Sequence, residues 1–341
     1  MNNKKKFKQI WAEQCKQYKI NEQPSILPKT DRIIVIGDLH GDLQITFKTL
    51  EIAKVIDTQH KWIGGNTIVV QVGDQIDRCR FDGKNSCNQK GITNFDEHSD
   101  IRILKYFTKL HKQARKHGGA VYSLLGNHEL MNVNGDMRYV SYEGIKGFDN
   151  YVDNDGTIIE DGLDARKSLF APGNHISNFL ACTRQVALII GSNLFVHAGI
   201  LPSIAEKYKI KDINRLMSLY LLNKFTDSKD YNTIDYNDIF ENIHTSPLWT
   251  RELGKMGNKT NIDNNTCNDL LKPLQVNYKV NNIYVGHTPL LDKGISSICD
   301  NKIWLTDYGA SKAFDVYLSQ EKIKEIHVLE IINDNQFNIL K

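Results

Sequence analysis

Three short strings constrain this chain more than anything else in it: Gly37-Asp38-Leu39-His40-Gly41-Asp42, Gly73-Asp74-Gln75-Ile76-Asp77-Arg78 and Gly126-Asn127-His128-Glu129. Each directly follows an apolar-leaning run (residues 32–36, 67–72 and 120–125), so each is expected at the carboxyl end of a strand. In an extended segment, side chains at i and i+2 point the same way, so Asp38 and His40 would offer two metal-capable groups to one side. The flanking glycines let the backbone turn sharply and come close to whatever is bound there.

The segments between these strings read as helices or polar loops. Residues 42–53 form one expected helix, and a second runs from Ser99 or Asp100 to about His117, stopped by Gly118-Gly119. Residues 78–98 read as a polar loop. A β-α-β-α-β order implies an α/β fold with a mostly parallel sheet and a site at the strand carboxyl ends. Farther along, 186–190 and 194–196 suggest a hairpin around Gly191-Ser192-Asn193. Residues 201 to about 280 look largely helical, with an Asn-rich loop at 258–268. Short strands are expected at 282–285, 295–299, 303–306 and 323–332. Two packed sheets with helices outside is the natural composite.

Composition excludes more than it assigns. The 341 residues are 40% hydrophobic with a net charge of +3, enough for a core and too balanced to argue for nucleic acid. No run approaches the roughly 18 apolar residues of a membrane helix. The basic start lacks an apolar stretch of secretory type, so the cytoplasm is the expected location. Cys15, Cys79, Cys87, Cys182, Cys267 and Cys299 do not form a disulfide framework on spacing, so reduced thiols are the default. Cys79 and Cys87 bracket a short polar loop and are read either as free thiols or as a pair.

Metal-capable residues then accumulate at strand ends: Asp38, His40, Asp74, Asn127, His197 in Val196-His197-Ala198-Gly199, and His287 in Val285-Gly286-His287-Thr288. Taken singly, each is more often an ordinary loop or core residue. Together they form a carboxylate, imidazole and amide set that suits Mn, Fe or Zn better than Ca. The set is too rich for one tetrahedral zinc and fits two metals bridged by one carboxylate.

These motifs resemble those of the calcineurin-like metallophosphoesterases. Asp77-Arg78 after Gly73-Asp74, with the Gly126–Glu129 string, is similar to the phosphoprotein phosphatase branch. The run Leu125-Gly126-Asn127-His128-Glu129-Leu130-Met131-Asn132, then Gly135-Asp136-Met137-Arg138-Tyr139-Val140 and Pro247-Leu248-Trp249-Thr250-Arg251, resembles the Shewanella-like (bacterial-like) phosphatases. The likeness spans roughly 32–315. It implies a four-layer α/β/β/α sandwich, with an N-terminal extension at 1–30 and one domain at 31–335 carrying insertions at about 132–181 and 203–280.

The same resemblance implies roles. Asp38 and His40 would hold one metal, Asn127, His197 and His287 a second, and Asp74 would bridge them. Manganese is the foremost metal, with iron and zinc as alternatives. His128 would be the catalytic histidine and Asp77 its orienting carboxylate. Arg78, Asn127 and Arg251 would bind the substrate phosphate. Asp307, in Thr306-Asp307-Tyr308-Gly309, resembles a feature near the site.

The implied activity is a metal-dependent protein phosphatase, cleaving phosphoserine, phosphothreonine or phosphotyrosine by attack of a metal-bridging hydroxide. Hydrolysis of dinucleoside polyphosphates or other small phosphoesters is the alternative. An inactive phosphate-binding module is disfavoured because the ligand set is complete. One departure stands out: Cys79 occupies the position where such proteins usually carry glycine after Asp-Arg. A left-handed backbone there would strain cysteine by on the order of 1 kcal/mol.

Overall fold

The first apolar runs become strands where expected. The computed structural model describes residues 3–80, 84–153, 155–225, 237–259, 261–317 and 324–341. Helix α1 (Asn3–Cys15) and the two-residue strand β1 (Ile26–Leu27) come first. The alternation follows: β2 (Arg32–Ile36), α2 (Leu43–Ile52), β3 (Ile68–Gln71), α3 (Asp100–Arg115) and β4 (Ala120–Leu124). Asp42 caps α2 by accepting a hydrogen bond from Ile45 N. Ser99 does not cap α3 through its side chain; its hydroxyl donates instead to Gly41 O at 2.5 Å.

Next come α4 (Asn127–Val133), α5 (Tyr142–Lys146), the small hairpin β5–β6 (Tyr151–Val152, Ile158–Ile159), α6 (Gly162–Phe170), α7 (His175–Thr183) and β7 (Arg184–Gln185). The hairpin β8–β9 (Ala187–Ile190, Asn193–Val196) leads into α8 (Pro202–Lys207), α9 (Ile210–Leu221), α10 (Glu252–Met256) and α11 (Asn264–Tyr278). Strands β10 (Asn282–Val285), β11 (Ser296–Ile298), β12 (Ile303–Leu305), β13 (Val328–Ile332) and β14 (Gln336–Leu340) close the chain.

Two six-stranded sheets result, in the orders β14-β13-β2-β3-β4-β7 and β1-β8-β9-β10-β12-β11. In the first sheet β2, β3, β4 and β7 run parallel, so their carboxyl ends share one edge. In the second, β10 is parallel to both β9 and β12, which brings the ends of β9 and β10 together.

Period-two alternation builds the layers. Leu188, Ile190, Phe195, Tyr284 and Trp304 face the first sheet and share a core with Ile33, Val35, Val69 and Val121. Their neighbours Ile189, Leu194, Val196, Ile283 and Leu305 face the other way, onto Ile213, Leu216 and Leu274 of the helices. Leu50 of α2 with Phe107 and Leu110 of α3 join the core of the first sheet. The arrangement is the expected α/β/β/α sandwich.

Some readings change. Helix α11 starts inside the stretch read as an Asn-rich loop, because Asp263 caps it by accepting from Thr266 N at 2.9 Å. The last expected strand begins at Val328, and Ile323 lies outside the described residues. An unanticipated strand, β14, pairs with β13 across a turn holding Asn333 and Asp334 at φ 51° and 77°.

The largest correction concerns the cysteines. All six pair, as Cys15–Cys182, Cys79–Cys87 and Cys267–Cys299, so the expectation of reduced thiols does not hold. Two of these bridges join residues 167 and 32 positions apart, which no local spacing announces. Cys15–Cys182 ties α1 to α7. Among the described residues, no helix is long and apolar enough to cross a membrane.

Candidate metal centre and its histidine dyad

The strand-end loops carry an unusual amount of left-handed backbone. His40, Asp74, Asp77 and His287 sit at φ 44°, 51°, 73° and 67°. Such conformations persist where surrounding bonds over-determine them, and they cluster at functional sites. Here Leu39 N and His40 N both donate to Asp74 O at 3.0 Å. Glu129 accepts from Gly126 N (2.7 Å), Gln75 N (2.8 Å) and Asp74 N (3.1 Å), stitching two of the three strings together. Two glycines are required by contact: a Cβ at Gly126 would fall on the Asp74 carboxylate, and one at Gly286 on that of Asp38.

Asp74 Oδ2 is the focus. His197 Nε2 lies 3.3 Å from it, His40 Nε2 3.8 Å and His128 Nε2 3.9 Å. Asp38 Oδ2 is 3.8 Å from His40 Nε2, and Asn127 Oδ1 is 3.0 Å from His197 Nε2. Backbone carbonyls take the far nitrogens: Ile76 O meets His40 Nδ1, Val72 O meets His197 Nδ1, and Trp249 O meets His287 Nε2. Ring orientation is thereby fixed, as in metal sites generally. The result is two triads, His40–Asp74–His128 and Asp74–His197–His287, whose donor atoms lie within 4.8 Å of one another. All six expected ligands are therefore brought together.

The charges fit a cation. Burial, then the charges of Asp307 and Asp74, push Asp38 well above the usual carboxylate range. Burial opposes ionisation of Asp74 too, but His197, His128 and His40 outweigh it and hold Asp74 well below its ordinary value. Burial pushes His40 and His287 down, to which Arg80 adds at His40 and His197 at His287. Asp38 Oδ1 and Asp307 Oδ2 are buried with no hydrogen-bond partner, which a bound metal would supply.

Beside the triads stands a chain of buried bonds. His128 Nδ1 lies 2.8 Å from Asp77 Oδ2. Asn132 Nδ2 donates to both oxygens of Asp77 at 3.0 Å. Arg166, fully buried, donates to Asn132 Oδ1 (2.9 Å) and pairs with Asp77 (3.4 Å) and Asp100 (2.7 Å). The sequence reading missed Glu129, Asn132, Asp100 and Arg166. Asn132 had a signal, being four positions beyond His128 on the same helix face; Arg166 and Asp100 had none.

The expected phosphate-binding groups divide. Asn127 is in the cluster. Arg251 Nη1 donates to His287 O at 2.8 Å, which anchors an otherwise exposed side chain at its edge. Arg78 is buried. Its guanidinium pairs with Asp42 (3.1 Å) and Glu97 (3.3 Å) and donates to Gly41 O and Phe95 O. Cys79 avoids the left-handed region, so the feared strain is absent, and it is bonded to Cys87. Asp136 and Arg138 pair with each other at the surface, and His175 lines a separate cavity of about 490 Å³.

Residues 31–291 match the family described as Calcineurin-like phosphoesterase. Uncharacterized protein R398 of Acanthamoeba polyphaga mimivirus is 40% identical over 254 residues, covering 69% of this chain and 97% of that one. Shewanella-like protein phosphatase 2 of Arabidopsis thaliana is 29% identical over 315 residues, covering 83% of this chain and 72% of its own. Among solved structures, the cold-active protein-tyrosine phosphatase of a psychrophilic Shewanella shares the fold, with a TM-score of 0.63 and 21% identity over 95% of this chain and 84% of that one.

Proposed function

We infer that this chain, which belongs to the calcineurin-like phosphoesterase family, is a metal-dependent phosphatase that hydrolyses phosphate monoesters on proteins. The observation that carries the reading is the membership of Asp74 in both histidine-containing triads, with His40, His128 and His197 all turned to its Oδ2 and His128 bonded in turn to Asp77. Asp38 and His40 would hold one metal, Asn127, His197 and His287 another, with Asp74 between them. Manganese suits these oxygen and imidazole donors, and iron and zinc accept the same set. Such a pair, when bound, supplies a nucleophile from water near neutral pH and offsets charge on the phosphoryl oxygens.

The remaining steps belong to side chains. His128 would deliver a proton from Nε2 to the departing oxygen, since its Nδ1 is committed to Asp77. Asp77 would fix the orientation of the imidazole. Asn127 and Arg251 would contribute phosphate contacts. A protein substrate is supported by the Arabidopsis relative, which is named a protein phosphatase. The three disulfides fit a compartment that keeps thiols oxidised better than the cytoplasm expected from the sequence.

Manganese-loaded protein should turn over phosphoserine, phosphothreonine or phosphotyrosine peptides faster than dinucleoside polyphosphates. A clear preference for the dinucleotides would move the assignment to small phosphoesters.

A further inference from the structure

The buried bonds behind His128 lead to a cavity. Asp100 accepts from Asp77 N and Arg166 pairs with the Asp77 carboxylate, and both line a cavity of about 490 Å³ enclosed by α3, α5, α6 and α7. Cavities that enclose a drug-sized ligand run from roughly 300 to 1,000 Å³. The rest of the wall is mainly apolar: Leu104 on α3, Phe148 after α5, Leu169 on α6, and Ile176 and Phe179 on α7. Helical spacing turns them inward, with Ile101, Leu104 and Lys105 at i, i+3 and i+4 of α3. An unfilled apolar void forgoes packing contacts, and an apolar guest restores them.

The mouth differs from the interior. Lys105 is exposed there and has no carboxylate partner among the described residues. His98 and His175 are exposed too, and their rings make no hydrogen bond among the described residues. Asp100 brings a carboxylate to the wall, but Arg166 already holds it at 2.7 Å. A guest with one negative end therefore meets an unpaired ammonium at the mouth and apolar side chains within.

The inner end couples to the histidine dyad. Phe148 lies over the Arg166 guanidinium at 5.4 Å, and Gly144, also in the wall, accepts from Arg166 Nη1 at 2.9 Å. From Arg166 the bonds run through Asn132 and Asp77 to His128 Nδ1. A guest packed against Phe148 thus bears on the groups that position the imidazole.

We propose that this cavity binds an amphipathic alkyl carboxylate, its chain among the apolar side chains and its carboxylate at Lys105, and that occupancy raises turnover by bracing Arg166 and Asp77 behind His128. The binding site stands on the cavity alone, and the effect on turnover rests on the reading of the cluster as a phosphatase centre. Phe148 is a positioning residue in this arrangement.

The test uses the manganese-loaded full chain with decanoate as the probe. Calorimetry in saturating inorganic phosphate should still show one-to-one decanoate binding, which separates the cavity from the metal cluster. In turnover assays on a phosphopeptide, decanoate should raise kcat at least about twofold and shift its pH profile, with KM little changed, because small gains in alignment act on the chemical step. Ile101→Trp, which fills the cavity, should remove both effects. Lys105→Glu should weaken decanoate at least about threefold, the worth of a partly exposed ion pair, and favour decyltrimethylammonium instead. Unchanged decanoate affinity in both variants, or displacement of decanoate by phosphate, would overturn the proposal. So would decanoate bound in the cavity with kcat and its pH profile unmoved. Decanoate bound as expected to a chain that turns over no monoester would sink the phosphatase reading and leave the binding site standing.

Discussion

The floor of the site and its near wall are held by different means. The floor, with Asp38, His40, Asp74, Asn127 and His128, hangs from adjacent parallel strands and is cross-braced by backbone donors to Glu129 and Asp74 O. The wall is made by residues 78–80 and 84–98, fixed by the Arg78 ion pairs and by the Cys79–Cys87 bond. Geometry that must be right to a fraction of an ångström sits on regular elements. The wall beside it is a loop pinned at a few points, as segments that meet substrate commonly are. Damage to the floor should abolish the chemistry, and damage to the wall should change how substrate is held.

The sharpest break falls on the shared carboxylate. Asp74→Asn should lose occupancy of both metals together with nearly all activity; elemental analysis finding two full sites would end the bridging assignment. Next, His128→Ala should lower kcat by about 10²–10⁴-fold while metal content and phosphate affinity hold. If metal loss accounts for the whole defect, His128 is a ligand and the general-acid role fails.

Deeper in the floor, Arg166→Met leaves Asp77 and Asp100 facing each other without their cation. Stability should fall by about 3–5 kcal/mol in denaturant melts, because a buried charge is left uncompensated. The folded fraction should also show a shifted pH profile for kcat, since Asp77 no longer orients His128 to the same degree; an unchanged profile would make Arg166 a stability element alone. The mildest effect belongs to the wall. Cys79→Ser with Cys87→Ser should raise KM several-fold with kcat little changed, measured on the same peptide. A matching collapse in kcat and metal content would erase the distinction between floor and wall.

How far the sequence could be read follows the same division. The floor was legible in position because its side chains follow apolar strand runs; their direction was not, since β2 ends at Ile36 and His40 lies beyond it at φ 44° rather than in the extended segment whose alternation would place it beside Asp38. The second sheet was legible only in pieces, since His197 and His287 come from strands 90 residues apart whose pairing is a tertiary fact. Helix α11 was misjudged because a single capping aspartate outweighed the local Asn-rich composition.

By itself, the sequence pointed to the sandwich and to the six strand-end residues that come together, because strand periodicity and turn chemistry act over a few residues; the His128–Asp77 pair followed from the resemblance of the motifs. The tertiary structure alone decided which acidic partners Arg78 takes and which cysteines meet. Arg78 and Arg80 share one loop, and their directions are set by Asp42, Glu97, Tyr139 and Phe314, which arrive from elsewhere in the chain. Cys15 meets Cys182 where α1 packs on α7. Side-chain direction in a loop has no period to follow, so the long-range partners choose it.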